Sequence, residues 1–420
     1  MSEKRKDKKG RLLQQNERQR ADGMYEYRYT DRNGDKHSVY SWKLVPTDKV
    51  PKGKRDGKLS LREMELQIRK QIFENVNPYS VATVTLNQCY DSFFESKAGI
   101  KRKSRDQYTW LYSKIGPRIG NAKASELTRN DVKKFYLDLL DDGASIETVA
   151  KVDMALDQIF DNAIDNRVLS YNPCNGVIQE LKRELRYSKG KKLSLTLAQQ
   201  KAFLEFIEHD PKHAHWYPFF KFMLGTGCRV GEALGLTWND IDFENNLISI
   251  NHAVCYYKRG GSGEYGFEVT RPKTDAGCRV IPMLDEVRNM LAKLRDRQGC
   301  MILPDIKIDG LSGFIWRTRG GSLPIPGTVN AALYSIQKDY NALEEMAAEL
   351  ENRQPLLLPK FSVHVLRHTF CTRLCENESN TKVIQEVMGH TSIVTTMNIY
   401  NNATDDLKKN VFAGLNGKIL

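Results

Sequence analysis

Several features are missing from this chain, and each absence narrows its class. No apolar run approaches the roughly 20 residues that a membrane-spanning helix needs, so no span is expected. The opening decapeptide MSEKRKDKKG leads into no apolar segment, so no secretory leader is expected either. The cysteines (Cys89, Cys174, Cys228, Cys255, Cys278, Cys300, Cys371 and Cys375) are scattered and form no CxxC pair. In a large intracellular chain they read as reduced thiols, not as a disulfide framework. Cys371 and Cys375 lie one helical turn apart, but a metal site needs two further converging ligands. His209, His213 and His215 flank the Asp210-Pro211 turn and read as surface. Long internal repeats and low-complexity tracts are also absent.

What is present is length and positive charge. A chain of 420 residues can bury two or three substantial cores. Its net charge is +12, and residues 1–75 hold 20 Lys+Arg against 12 Asp+Glu, so +8 of the excess sits in the first fifth. A polyanionic partner suits that distribution. In the same region residues 24–30 alternate and are aromatic, Asn33-Gly34 is a strong hairpin signal, and residues 37–44 read as a second strand. Residues 11–20 can add a third. Tyr25, Tyr27 and Tyr29 then share one face and Arg28 lies on the other. After the basic loop KVPKGKRDGK, Ser60 is placed to cap a helix whose Leu61, Met64, Ile68, Ile72 and Phe73 keep helical spacing.

Asn77-Pro78 opens a linker, and helices dominate beyond residue 85. Ile146, Val149, Val152, Leu156, Ile159, Phe160, Ala163 and Ile164 trace one face of a long helix with Ser145 as its N-cap. Residues 86–94, 107–115 and 132–140 supply three more, with Lys101, Arg102, Lys103 and Arg105 in a loop. A polar, basic stretch, ELRYSKGKKLS, marks a second boundary ahead of a capping box at Thr196–Gln199. From there helices should surround a three-stranded sheet built from about residues 247–283. In the Gly- and Pro-rich residues 302–327 only 314–317 read as a strand.

Chemistry-bearing residues concentrate in residues 361–400, FSVHVLRHTFCTRLCENESNTKVIQEVMGHTSIVTTMNIY. Leu366, Phe370 and Leu374 recur every four residues as the buried stripe of a helix, which groups His364, Arg367 and His368 on a neighbouring face. A second helix buries Val383, Ile384 and Val387. Gly389 ends it in a left-handed stop that delivers His390 at a corner. Tyr400 follows ten residues on, with Thr395, Thr396 and Asn398 available as caps. Upstream, FFKFMLGTGCRVGEALGLTWNDID breaks an apolar helix at Gly225 and Gly227, and Arg229 opens the next helix with Glu232 on the same face. EVTRPKTDAGCRVIPM reads as a β-hairpin around Asp275-Ala276-Gly277, with Lys273 just before the turn.

The order HxLRH, then GH, then a tyrosine resembles the C-terminal signature of the tyrosine recombinases, the phage-integrase family. The TGxRxxE box around Arg229 matches that family's first arginine box almost letter for letter. The resemblance covers about residues 194–401, and the basic first unit is similar to the arm-binding domain of integrases from Gram-positive conjugative transposons. It implies a multidomain α+β protein: a three-stranded-sheet-plus-helix arm-binding domain (1–76), a helical core-binding domain (77–185), and a mostly helical catalytic domain with a small antiparallel sheet and a C-terminal tail (186–420).

The implied catalytic set is Arg229, Lys273, His364, Arg367, His390 and the nucleophile Tyr400, working without metal or other cofactor. The resemblance also implies DNA contacts from Arg5, Arg20, Arg28, Tyr40 and Lys54 in the first unit and from Lys101 and Lys103 in the second. The expected partners are double-stranded DNA at core-type and arm-type sites, other copies in a homotetramer, and DNA-bending or excision proteins, in the bacterial cytoplasm at the nucleoid and not at a membrane. Three alternatives share parts of this pattern: a type IB topoisomerase, a Xer-type resolvase, which normally lacks the arm module, and a DNA-binding regulator that has lost catalysis, in which a box residue should be missing.

Overall fold

The computed structural model describes residues 5–31, 34–57, 59–73, 83–188, 193–258, 264–272, 275–300, 304–378 and 380–394, with positions 78, 190 and 397. The chain divides into two compact units, Met1–Lys189 and Gly190–Leu420.

The first unit opens with an antiparallel sheet of β1 (Glu17–Gln19), β2 (Tyr25–Thr30) and β3 (Lys36–Ser41), in that order. Strand alternation puts Tyr25, Tyr27 and Tyr29 into a core with Leu44 and with Leu61 and Ile68 of α1 (Leu61–Phe73), while Arg28 faces out. Ser60 caps α1 as its pattern predicts, donating from its N–H and its hydroxyl to Glu63 Oε2, each at 2.8 Å. Two details differ. The β2–β3 connection spans residues 31–35, closed by a bond from Asp31 N–H to Asp35 O, and is wider than a two-residue turn; Asn33 lies outside the described residues. Phe73 is 87% exposed, because Ile68 and Ile72 take the core-facing side of the last turns of α1 and leave Phe73 on the other.

A second core in this unit is built by α2 (Leu86–Ser96), α3 (Arg102–Ile119), α4 (Arg129–Asp141), α5 (Ile146–Asp165) and α6 (Val177–Glu184). The Ser145 cap on α5 forms as expected, its hydroxyl accepting from Thr148 N–H. The helix α6 is one more than periodicity reveals; it buries Val177, Ile178 and Leu181 in only eight residues, too short a window for a 3.6-residue repeat to show. Lys101, Arg102, Lys103 and Arg105 are not in a loop. Lys101 is the N-cap of α3 and the others lie on its first turn. Cations there oppose the helix dipole, and the helix is secured further along by burial of Leu111 and Ile115.

The second unit begins at the Thr196–Gln199 capping box of α7 (Leu197–His209). Around one large core follow α8 (Tyr217–Thr226), α9 (Val230–Gly235), α10 (Asp285–Gly299), α11 (Pro326–Leu350) and the start of α12 (Val363–Asn377), while Cys371 and Cys375 of α12 form a smaller cluster with Ile384 and Met388 of α13 (Thr381–Met388). Its strands form two sheets and not one. Among the described residues β4 (Ile241–Asp242), β5 (Leu247–Ile250) and β8 (Arg279–Pro282) make a three-stranded sheet, and β6 (Ala253–Lys258) pairs with β7 (Tyr265–Thr270). Among the described residues the runs flanking Asp275–Gly277 therefore form no hairpin: β7 pairs with β6 and β8 with β5, and Asp275–Gly277 is a 3₁₀ turn ahead of β8. β6 and β7 instead pair locally through opposed Tyr256 and Phe267, whose rings are 4.8 Å apart.

Residues 314–317 carry one isolated bridge, Thr237 to Phe314, and no strand, although Phe314, Ile315 and Trp316 are buried. His213 is buried rather than superficial, its ring 2.8 Å from Asp339 Oδ2. Among the described residues no helix is long and apolar enough to cross a membrane.

Candidate active site

Two left-handed glycines shape the site. Gly227 (φ +62°) ends α8, and a Cβ there would lie 2.3 Å from Phe370 Cδ1, so only glycine allows α12 to pass so close. The helix breaks here and not at Gly225, which lies inside α8. Gly389 (φ +63°) ends α13. Immediately after Gly227 the chain turns into α9, whose N-cap is Arg229. Its backbone N–H donates to Glu232 Oε2 (2.9 Å) and its Nη1 to Glu232 Oε1 (2.6 Å).

Arg367 enters from α12. Its Nη1 donates to Gly227 O (2.7 Å) and its Nη2 to Met388 O (2.5 Å). Arg229 Nη2 donates to the next carbonyl, Gly389 O, at 3.1 Å. The last carbonyls of a helix have no intrahelical partner and form the negative end of its dipole. That end of α13 is what lets guanidinium groups gather closely. The two arginines nevertheless differ in exposure: the Arg229 side chain is 43% exposed and Arg367 only 2%. Burial, and next the charge of Arg229, lower the Arg367 guanidinium to about 10, which leaves it protonated at neutral pH. Burial also works to raise the Glu232 carboxyl, but Arg279 and then Arg229 outweigh it and hold it below the usual range.

His390 is buried just past Gly389; its N–H donates to Gln385 O (3.1 Å) and its carbonyl accepts from Gln385 Nε2 (2.9 Å). On α12 His364 and His368 face each other, rings edge-on with centroids 4.5 Å apart. Arg367 does not share that face: it points inward, because α12 is packed on both α8 and α13. The same packing explains why the buried apolar positions of α12 are Val363, Leu366, Cys371 and Cys375, with Phe370 and Leu374 only partly covered. On α13 Ile384 and Met388 are buried, whereas Val383 is exposed. Lys273, Tyr400, Thr395, Thr396, Asn398 and the tail lie outside the described residues.

One member of the cluster was not anticipated. Arg279, on β8, donates to Glu232 Oε2 (3.0 Å), Val387 O (2.8 Å) and Gly277 O (3.2 Å). The signal was available, since Arg279 shares the buried face of its strand with Ile281 while Val280 points out, and a charge on a buried face is rarely idle. Among the described residues no group of three or more His, Cys, Asp or Glu is placed to hold a metal ion.

In the first unit the outward face of the sheet carries Arg28, Tyr40 and Arg18, with Glu26 buried between them. Glu26 accepts from Arg28 Nε (3.0 Å), Ser38 Oγ (3.0 Å) and Arg18 Nε. Burial works to raise its carboxyl, but Arg28 and Arg18 bring it down to about 2. Arg18 had not been singled out from sequence. Arg20 lies over the Tyr40 ring at 5.3 Å and Lys54 over Trp42 at 5.3 Å, while the Arg5 side chain donates to Gln14 O at 3.5 Å.

Three guanidiniums and a histidine gathered at a helix end, beside a left-handed glycine, define the class. The chain belongs to the phage integrase family, the tyrosine recombinases, whose model matches residues 194–406. Residues 1–72 match the DNA binding domain of Tn916 integrase. Within the family it is similar to the transposase from transposon Tn1545 of Streptococcus pneumoniae, 32% identical over 97% of this chain and 95% of that one. The transposase from Tn916 of Enterococcus faecalis is 31% identical over the same shares. A solved structure of the Tn1549 transposon integrase in complex with a circular intermediate DNA superposes with a TM-score of 0.68 at 28% identity, covering 79% of this chain and all of that one.

Proposed function

We propose that the chain integrates and excises a mobile element by cutting and rejoining double-stranded DNA at specific sites, through a 3′-phosphotyrosine intermediate and a Holliday junction. The observation that carries this reading is the convergence of Arg229, Arg367 and His390 on one helix end. A phosphodiester resists attack because its anionic oxygens repel nucleophiles and its alkoxide leaves poorly. The Tyr400 oxygen forms the new bond to phosphorus as the bond to the 5′-oxygen breaks. Each guanidinium carries five N–H groups in a planar fork; with two engaged on protein acceptors, Arg229 and Arg367 keep donors for the two non-bridging oxygens, where charge builds in the transition state. Lys273 supplies the proton for the departing 5′-oxygen, His364 assists proton movement at the tyrosine, and His390 hydrogen-bonds the phosphate.

Residues 1–76 bind arm-type DNA, 77–185 bind core-type DNA and 186–420 carry the chemistry. Exchange of strands between two duplexes requires four active sites, hence a homotetramer, with DNA-bending and excision proteins as accessory partners. The relatives support this division: one family model of the first 72 residues is a DNA-binding domain, and the Tn1549 integrase was solved on DNA. The test is incubation with a nicked duplex carrying an element end, followed by a denaturing gel. A covalent protein–DNA adduct that forms with wild type and is lost with Tyr400→Phe supports the reading; an adduct undiminished in that variant refutes it.

A further inference from the structure

Arg279 differs from the other two arginines of the cluster in how its donors are spent. All three of its nitrogens are engaged: Nε on Val387 O, Nη1 on Gly277 O and Nη2 on Glu232 Oε2. Its side chain is only 6% exposed. With all three nitrogens engaged it is badly placed to take a phosphate oxygen, unlike Arg229 and Arg367, each of which bonds the protein through its two terminal nitrogens. What Arg279 does hold is the frame of the pocket. Glu232 receives the Arg229 guanidinium on Oε1, and Arg279 together with the Arg229 backbone N–H on Oε2, and the carbonyls of Val387, Met388 and Gly389 are taken in succession by Arg279, Arg367 and Arg229. The fit is close as well, because a Cβ at Gly389 would come within 2.9 Å of both Arg279 Nη1 and Ala276 O.

We infer that Arg279 is a positioning residue for strand cleavage: by sharing Glu232 with Arg229 and clamping the end of α13, it sets the angle at which the Arg229 guanidinium faces the scissile phosphate. The inference rests on the reading of Arg229 as a phosphate-binding residue. Without Arg279, both oxygens of the buried Glu232 carboxylate are left to Arg229 and draw its fork inward, and the α13 terminus loses its tie to β8. A displacement of about 1 Å in a group that must meet a transition state can cost on the order of 100-fold in rate. A lysine at this position keeps a positive charge beside Glu232 but cannot hold three acceptors that lie in different directions.

The test compares wild type, Arg279→Lys, Arg279→Ala and Arg229→Ala as full chains. For each, the rate of adduct formation is measured on a nicked core site with either the natural phosphate or a methylphosphonate at the scissile position, with core-site affinity and thermal melting alongside. The methylphosphonate lacks one anionic oxygen, so its transition state carries less charge and depends less on a well-aimed guanidinium. Arg279→Lys should melt as a folded protein, bind the core site within a few-fold of wild type, and cleave the phosphate about 100-fold more slowly, with most of that deficit gone on the methylphosphonate. Arg279→Ala should show the same pattern more strongly if it folds. If Arg229→Ala recovers on the methylphosphonate and Arg279→Lys shows the same deficit on both substrates, Arg279 is only structural and the positioning proposal is overturned. If Arg229→Ala cleaves both substrates like wild type, or is equally slow on both, the phosphate-binding reading of Arg229 fails and this proposal with it.

Discussion

Replacing Arg367 by lysine, beside the same change at Arg229, separates two things that a guanidinium does in this pocket. Arg367 is 2% exposed and spans from Gly227 O to Met388 O, joining the end of α8 to the end of α13. An ammonium on a four-carbon stem reaches one of those carbonyls, and the other is left buried without a partner at a cost of about 1–3 kcal/mol. In a domain of this size each kcal/mol lowers the melting temperature by roughly 2–4 °C, so Arg367→Lys should melt about 2–12 °C below wild type. The Arg229 side chain is 43% exposed, and Glu232 keeps Arg279 when Arg229 is changed. Arg229→Lys should therefore alter stability by only about 0.5 kcal/mol.

Both variants lose a preorganised fork aimed at developing negative charge, and both should slow adduct formation by roughly two to three orders of magnitude while core-site affinity stays close to wild type. Differential scanning calorimetry and a single-turnover cleavage assay on a nicked core site measure the two effects independently. Equal melting temperatures for the two lysine variants would contradict the bridging role assigned to Arg367. Losses in affinity that match the losses in cleavage would make both arginines docking residues.

Three further outcomes are expected. Tyr400→Phe should abolish adduct formation and leave DNA affinity nearly intact, since only the nucleophilic oxygen is removed; adduct formation at the wild-type rate points to another tyrosine. Gly227→Ala puts a Cβ 2.3 Å from Phe370 Cδ1 in a left-handed conformation, so a loss of about 1–3 kcal/mol with impaired cleavage is expected in thermal melts; unchanged melting shows that α12 can yield. Burial raises the Asp153 carboxyl to about 6, partly countered by the Tyr136 hydroxyl that donates to it at 2.8 Å. A folded-state value above the unfolded one means that the stability this group contributes is complete below about pH 4 and lost as pH rises through 6. Asp153→Asn should accordingly stabilise α5 at pH 7, read by amide exchange, and flatten its dependence between pH 4 and 7; parallel pH profiles for variant and wild type count against that account.

Local rules were enough wherever neighbours in sequence settle the outcome. The caps at Ser60, Ser145 and Thr196, the helix break at Gly227, the left-handed stop at Gly389, and the tyrosine face of β2 all depend on contacts within a few residues, and all were legible. Arg229 and Glu232 were paired from their spacing alone. Tertiary packing decided the rest. Which strand β8 joins depends on β5, some thirty residues away, so the apparent hairpin around Asp275–Gly277 dissolved into two sheets. Arg367 turned inward because α12 is covered on two sides, a fact that one stripe of leucines cannot convey. Arg279 was overlooked for the same reason: its partners Glu232 and Val387 lie 47 and 108 residues away, and only the closed fold brings a buried arginine, a carboxylate and a helix end within hydrogen-bonding distance.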